Sequence, residues 1–352
     1  MSLWHRVRGP AFALALGGLG GAAGWLAGVP LGVLLGAMVA VGVVAARGGR
    51  LGGASIEFPQ QLRLFFVPVI GVGIGGAFTP EVVAQMPGWW PSLLALCLYI
   101  PLAHLSGYAI YRLGGLPKPE AFFGAVPGGL IESVALGEEA GADVRMLVLL
   151  QFLRLILTIV AVPLIFLVLT GHAVGSASGA TLAAKVALDP ADALVLIAAG
   201  CIGFWVGRLL HLPAAPMTGP MAASACVHLL GWAEGVPPGW AVALTQIVVG
   251  TGLGARFIGM NGALLRRGFA LASGNVAVAL LLAFGFGLAM AKITGEPVTA
   301  VFLAFAPGGL AEMSLIALSL QMGIVFVTVH HVARIVLSVA LAKLGARWIM
   351  PG

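Results

Sequence analysis

The sequence predicts an all-α polytopic membrane protein of about ten transmembrane helices, and three observations carry that expectation. Of its 352 residues, 60% are hydrophobic and only 9% charged, whereas a soluble domain carries roughly 25% charged residues. Mean hydropathy is +1.08, and the apolar residues fall in some ten stretches separated by short polar breaks, as bilayer-spanning helices require. Runs such as Ala193–Val206 and Leu147–Leu169 are continuous, without the alternation of a transmembrane β-strand. Disorder needs low hydrophobicity and is excluded.

In chain order, the first half gives helices at about 11–28, 30–46, 63–79, 90–111 and 145–170. The second half gives them at about 190–207, 213–233, 240–258, 268–291 and 322–346. Arg6 and Arg8 before the apolar run Ala11–Gly28 fit the start of a signal peptide. No clean A-x-A site follows, and the run leads straight into a second apolar stretch after Pro30. A retained first helix is therefore expected.

The two sets of helices are copies. Pro127-Gly128-Gly129-Leu130-Ile131-Glu132 recurs as Pro307-Gly308-Gly309-Leu310-Ala311-Glu312, 180 residues later. Arg154 and Arg334, each inside an apolar helix, are again 180 apart. Gly71-Val72-Gly73-Ile74-Gly75 through Phe78 matches Gly250-Thr251-Gly252-Leu253-Gly254 through Phe257 at an offset of 179. Pro30, Gly36 and Met38 match Pro213, Gly219 and Met221 at 183. Four anchors in one order describe a tandem duplication, residues 1–178 and 179–352, with a seam near Gly175–Leu188.

Loop charges bear on how the copies are oriented. If segments 119–140 and 298–318 are re-entrant or broken, each repeat crosses five times and the second is inverted. Fourteen basic residues then face the cytoplasm and two, Lys185 and Lys292, face outward. If those segments span fully, the division is eleven against five. The inverted arrangement obeys the positive-inside rule better. It leaves both termini cytoplasmic. The same rule accounts for the net charge of +6, because no basic stripe or stacking platform for nucleic acid is present.

The Pro-Gly-Gly pairs sit within the two segments at issue. Proline removes a donor and clashes with the preceding turn, and two glycines weaken a helix further. Unwound backbone at membrane depth is tolerated only inside protein or along a wet cavity. A new half-helix then starts after Gly128-Gly129 and after Gly308-Gly309, and its free N–H groups attract anions. Glu132 and Glu312 fall in that first turn, either as caps or as binding or proton-coupling carboxylates. Arg154 and Arg334 lie nine and about twelve residues inside their expected helices, near the middle of a ~30 Å core. An arginine there is costly and marks function by default. We expect Glu132 with Arg154, and Glu312 with Arg334, to form two charge sets around one cavity, unless each is a static ion pair. Gln151 and His331, three residues before each arginine, share its helical face; His330 does not.

Other motifs read more plainly. The Gly-x-Gly-x-Gly stretches lack any βαβ context, so close helix packing explains them better than nucleotide binding. Cys97, Cys201 and Cys226 are isolated, with no CxxC. No carboxylate–histidine cluster offers a metal site, and no cofactor is expected. Asn275 and Gln246 are read as interhelical hydrogen-bonding residues.

On the paired Pro-Gly-Gly-Leu-x-Glu motifs, the paired Gly-x-Gly-x-Gly-x-x-Phe stretches and the Pro-x5-Gly-x-Met anchors, the chain resembles the AbrB family of bacterial membrane proteins. Its halves correspond to the AbrB duplication, and the resemblance implies a bacterial inner-membrane protein. The name is shared with a small DNA-binding regulator that this chain does not resemble. Family labels such as regulator of aidB expression or ammonia monooxygenase imply a link to gene expression or oxidation, but no catalytic residues. The expectation is a secondary transporter or exporter of a small anionic or amphipathic solute, coupled to protons or sodium, and not an enzyme. A membrane sensor that alters transcription through a partner is the alternative, and a membrane oxygenase a third. The lipid bilayer and the solute are the expected partners, with homo-oligomerisation left open.

Overall fold

The computed structural model describes residues 3–29, 31–51, 54–170, 188–260, 262–320 and 322–349. Most of the expected repeat seam falls in 171–187, outside them. Apart from a two-residue antiparallel pairing of Arg50–Leu51 with Ala54–Ser55, the described elements are helical. Among the described residues six helices are long and apolar enough to cross a membrane, and their outer faces carry exposed Leu, Ile, Val and Trp side chains where a soluble protein would show charges.

The chain divides into two compact units, and each draws on both halves of the sequence. The first comprises Met1–Val83, Pro163–Met260 and Ser314–Val325. It holds α1 (Leu3–Leu26), α2 (Gly32–Ala46), α3 (Leu62–Gly75), α9 (Pro190–Leu209), α10 (Ala215–Leu229) and α11 (Gly239–Gly254). Glycine sets its packing. A methyl on Gly24 or Gly32 would land on the other's backbone, and so would one on Gly203 or Gly219; backbones approach this closely only where no Cβ intervenes. The residues that start α2 and α10, Leu31 and Ala214, are both left-handed with φ of 51°. They stand 183 residues apart, so the same unusual entry into a helix occurs twice. Helices α2, α3, α10 and α11 have 15, 14, 15 and 16 residues, or roughly 21–24 Å of rise. That is short of a ~30 Å hydrocarbon core, which is why fewer than ten helices reach spanning length.

The second unit comprises Ala84–Val162, Asn261–Met313 and Phe326–Gly352. After the short α4 (Pro80–Gln85), its long helices are α5 (Trp90–Leu113), α8 (Val144–Thr170) as far as Val162, α12 (Gly262–Thr294) and α15 (Ile324–Ile349). Between them lie the motif segments, and both are interrupted. Helix α6 (Lys118–Ala125) stops before Pro127, and α7 (Leu130–Glu139) starts after Gly129. Likewise α13 (Val298–Phe305) stops before Pro307, and α14 (Leu310–Ser319) starts after Gly309. Interhelical polar contacts are few and specific. The Asn275 amide donates to the Tyr111 hydroxyl at 2.9 Å, as expected for that residue. Ser92 and His330 meet at 2.8 Å.

Candidate functional site

Every predicted site residue falls within the second unit. The site is built twice, from an interrupted helix and the long helix beside it. At Val126 and Ala306 the half-helices α6 and α13 end, and their last carbonyls lose their intrahelical donors; the Gly308 N–H restores one bond to Ala306 O, at 2.8 Å. The following long helix supplies the donors. The Arg154 guanidinium on α8 donates to the Val126 carbonyl, and the Gln151 amide, one turn earlier, donates to Phe123 O at 2.9 Å. In the second half Arg334 on α15 donates to Ala306 O and Gly308 O, and His331 Nε2 meets Leu303 O at 3.0 Å. Arg154, Gln151, Val126 and Phe123 map onto Arg334, His331, Ala306 and Leu303 at one constant offset of 180. A cation against a helix C-terminus is electrostatically favourable, so the arrangement explains how two arginines are held ten residues into α8 and α15.

The pairing of Arg154 with Glu132 expected from the sequence is absent. Arg154 bonds a backbone carbonyl, and Glu132 is exposed. Both glutamates occupy the third position of their half-helix and fold back over the second glycine of the break. The Glu132 carboxylate lies 3.4 Å from where a Cβ on Gly129 would stand, and that of Glu312 lies closer still to the equivalent point on Gly309. They thus face the positive ends of α7 and α14. Glu312 is 4% exposed. Gly129 itself has φ 64°, a left-handed start to α7 that suits glycine.

The two breaks converge. Gly128 lies against α15: a Cβ there would meet Ser338 Oγ at 3.0 Å and the Ile335 backbone at 3.5 Å. Arg334 of the same helix holds the second break, one turn away. The Tyr99 hydroxyl on α5 is within electrostatic reach of both guanidiniums, which are also within reach of each other. The Tyr99 ring packs on Phe305, at the end of α13, with centroids 5.2 Å apart.

Several polar atoms here are buried without a hydrogen-bond partner: Nε of Arg154 and of Arg334, Oε1 of Gln151, Nδ1 of His331, Oγ1 of Thr158 and Oγ of Ser338. Each such atom costs about 1–3 kcal/mol, and a cluster of them points to water or a ligand. They too come in pairs 180 apart. Thr158 and Ser338 continue the arginine face by one turn, at i, i+3 and i+7 from Gln151 and His331. Sequence reasoning missed these hydroxyls and Tyr99. The repeat offset alone could have found the first two; Tyr99 left no comparable mark. Among the described residues no three His, Cys, Asp or Glu side chains group within reach of one metal ion.

The sequence profile of the family described as "Transition state regulatory protein AbrB" matches residues 10–350. The chain belongs to this AbrB family. Similar proteins include the "Uncharacterized protein YhjN" of Bacillus subtilis (strain 168). It is 28% identical over 291 residues, covering 78% of this chain and 74% of that protein. The "Putative regulator AbrB" of Escherichia coli (strain K12) is 27% identical over 294 residues, covering 82% and 81%. The match takes in both breaks and both arginine helices, so the duplicated site lies wholly within the AbrB-type region.

Proposed function

We propose that this AbrB-type chain is an inner-membrane secondary transporter or exporter of a small anionic solute, with its binding site where the two broken helices meet. The observation that carries the proposal is the charge balance at the breaks. The C-termini of α6 and α13 are each worth about half a negative charge, and the N-termini of α7 and α14 about half a positive charge each. Two guanidiniums and the buried Glu312 complete the set. About one positive charge is left over at a depth where an unbalanced charge is expensive. A carboxylate or phosphate would supply the missing negative charge. It would also occupy the unpartnered Nε and hydroxyl groups of Arg154, Arg334, Thr158 and Ser338. Interrupted helices at matching points of two repeats favour transport over static binding. Proton or sodium coupling would act through Glu312, whose charge decides whether the excess is one or two.

In this reading the repeats are inverted, α2, α3, α10 and α11 cross where the bilayer thins to meet them, the crossings number ten, and both termini are cytoplasmic. No chemical change of the solute is required. The test is efflux of a panel of radiolabelled small carboxylates and phosphates from proteoliposomes. Wild type should release at least one of them faster than protein-free vesicles, and Glu312→Gln should slow that release about tenfold or more, the equivalent of ~1.4 kcal/mol. Equal rates with and without protein across the panel would sink the proposal.

A regulatory reading is favoured by the name of the Escherichia coli relative, "Putative regulator AbrB". The two readings separate in a deletion strain. A flux-dead Glu312→Gln chain that restores the wild-type transcript profile would favour sensing over transport.

A further inference from the structure

Away from the breaks, the second unit carries a groove of about 480 Å³ between α5, α6 and α15. Its walls are Ile100, Leu105, Phe122, Leu337, Leu341 and Leu344, and its outer end is Trp348. Nearly all of the lining is hydrocarbon. The buried His104 ring in the floor is covered by Phe122, with centroids 4.5 Å apart. The groove is open along one side, where Leu105 is 59%, Leu344 64% and Trp348 90% exposed. In water such a surface would be a liability. On membrane-spanning helices it faces acyl chains.

Length and charge single out the occupant. From Leu337 to Trp348 the groove follows α15 for eleven residues, about 16 Å at 1.5 Å per residue. That is close to half of a ~30 Å hydrocarbon core, the depth of one leaflet. Leu337 lies three residues beyond mid-depth Arg334, so the groove runs from the membrane centre to one surface. At that surface stands Trp348, an interfacial residue type. Beside it, Lys343 and Arg347 form an i, i+4 row on the flank of Ala340, Leu344 and Trp348. Both are exposed, and neither has an ion-pair or hydrogen-bond partner among the described residues.

We propose that this groove binds one acyl chain of an anionic phospholipid, with the lipid phosphate held by Lys343 and Arg347. The inference rests on the membrane reading and not on transport, since it needs α5 and α15 to span a bilayer but needs no solute. Lys343 and Arg347 set the preference for anionic headgroups. The apolar walls decide that the chain lies in the groove, not merely near it. Ala340, a small residue in the lining, leaves the room.

The test uses full-length protein in phosphatidylcholine vesicles containing an equal mole fraction of brominated phosphatidylglycerol or brominated phosphatidylcholine. Subtracting the Trp348→Phe signal isolates quenching of Trp348. Brominated phosphatidylglycerol should bind about fivefold or more in preference, since each basic side chain near an anionic surface contributes about that factor. Lys343→Ala with Arg347→Ala should bring the two lipids to parity. Ala340→Phe should weaken quenching by both while leaving circular dichroism unchanged. Equal quenching by the two lipids in wild type would overturn the proposal, as would a preference that survives loss of both basic residues. Flux of any solute does not enter this measurement, so its failure and that of the transport reading are separable.

Discussion

The two breaks share a six-residue motif and the same arginine cap, yet they sit in different surroundings. At the first, Glu132 is exposed, Arg154 holds one carbonyl, and the half-helix starts on a left-handed glycine. At the second, Glu312 is buried, and Arg334 holds two carbonyls. Gly309 is not among the residues with positive φ. The cap is set locally: a helix C-terminus needs donors, and the residue 28 positions on provides them in both halves. The environment of the glutamate is set by packing, which duplication does not preserve. The difference teaches that the shared element is structural, while the carboxylates, one buried and one exposed, are where the proposed function can be divided.

The largest effect that would break this comparison is on stability. Replacing Arg334 by Gln takes the guanidinium from two buried carbonyls, of which Ala306 O keeps the Gly308 N–H and Gly308 O loses its side-chain donor. Replacing Arg154 leaves Val126 O with the Gln151 amide at 3.3 Å. At about 1–3 kcal/mol per unsatisfied buried group, Arg334→Gln should cost more than Arg154→Gln by about that amount. The midpoint of thermal unfolding in detergent measures both. Equal losses would mean that the second carbonyl bond contributes nothing and that the two caps are interchangeable.

Next comes function. Glu312→Gln and Glu132→Gln are the same chemical change at equivalent positions, and neither should lower the unfolding midpoint much, since each amide can still face its half-helix N-terminus. Flux should nevertheless fall about tenfold or more for Glu312→Gln and less than about twofold for Glu132→Gln, a separation worth ~1 kcal/mol or more. If the two variants behave alike, burial is not what distinguishes the carboxylates.

A smaller test separates backbone from side chain. Gly129→Ala forces a β-carbon into left-handed backbone at a cost of about 1–2 kcal/mol, and the added carbon also crowds Val339. Gly309→Ala meets no such backbone cost, but its β-carbon takes the space of the Glu312 carboxylate. The first should lower stability more than flux; the second should lower flux more than stability. Paired melting and efflux curves give both readouts.

Much of this was legible beforehand because its causes are local. Proline and paired glycines break a helix wherever they stand, so the ends of α6 and α13 and the starts of α7 and α14 followed from Pro127 and Pro307. Arg154 and Arg334 stood out because a charge in an apolar run is costly. The partner expected for Arg154 is not the one observed. From sequence a mid-membrane arginine looks for a carboxylate, and the nearest candidates were Glu132 and Glu312. A carbonyl freed by a helix break is just as good an acceptor, but no residue type advertises it. Thr158 and Ser338 were invisible because single hydroxyls in apolar helices usually bond their own backbone. Tyr99 was missed because its place beside the arginines depends on how α5 packs, which no motif encodes. The short lengths of α3, α10 and α11 were also hidden, since hydropathy runs on past the residues where the helix stops.

The smallest expected effect concerns Gln151 and His331, the pair that differs in chemistry but not in role. Each places a nitrogen against a carbonyl of the preceding half-helix, Gln151 at Phe123 and His331 at Leu303. An amide can replace an imidazole N–H in that bond, because both are neutral donors of similar reach. His331→Gln should therefore change stability by less than about 1 kcal/mol, the net worth of a typical hydrogen bond, whereas His331→Ala should cost at least that plus the void. The exchange also separates a cap from a proton carrier. If His331 only caps, His331→Gln leaves the pH profile of efflux where it was and makes the second half chemically like the first. A profile that flattens or moves by a unit or more would give His331 a titrating role that its partner Gln151 cannot have, and the two halves would then differ in their caps as well as in their carboxylates.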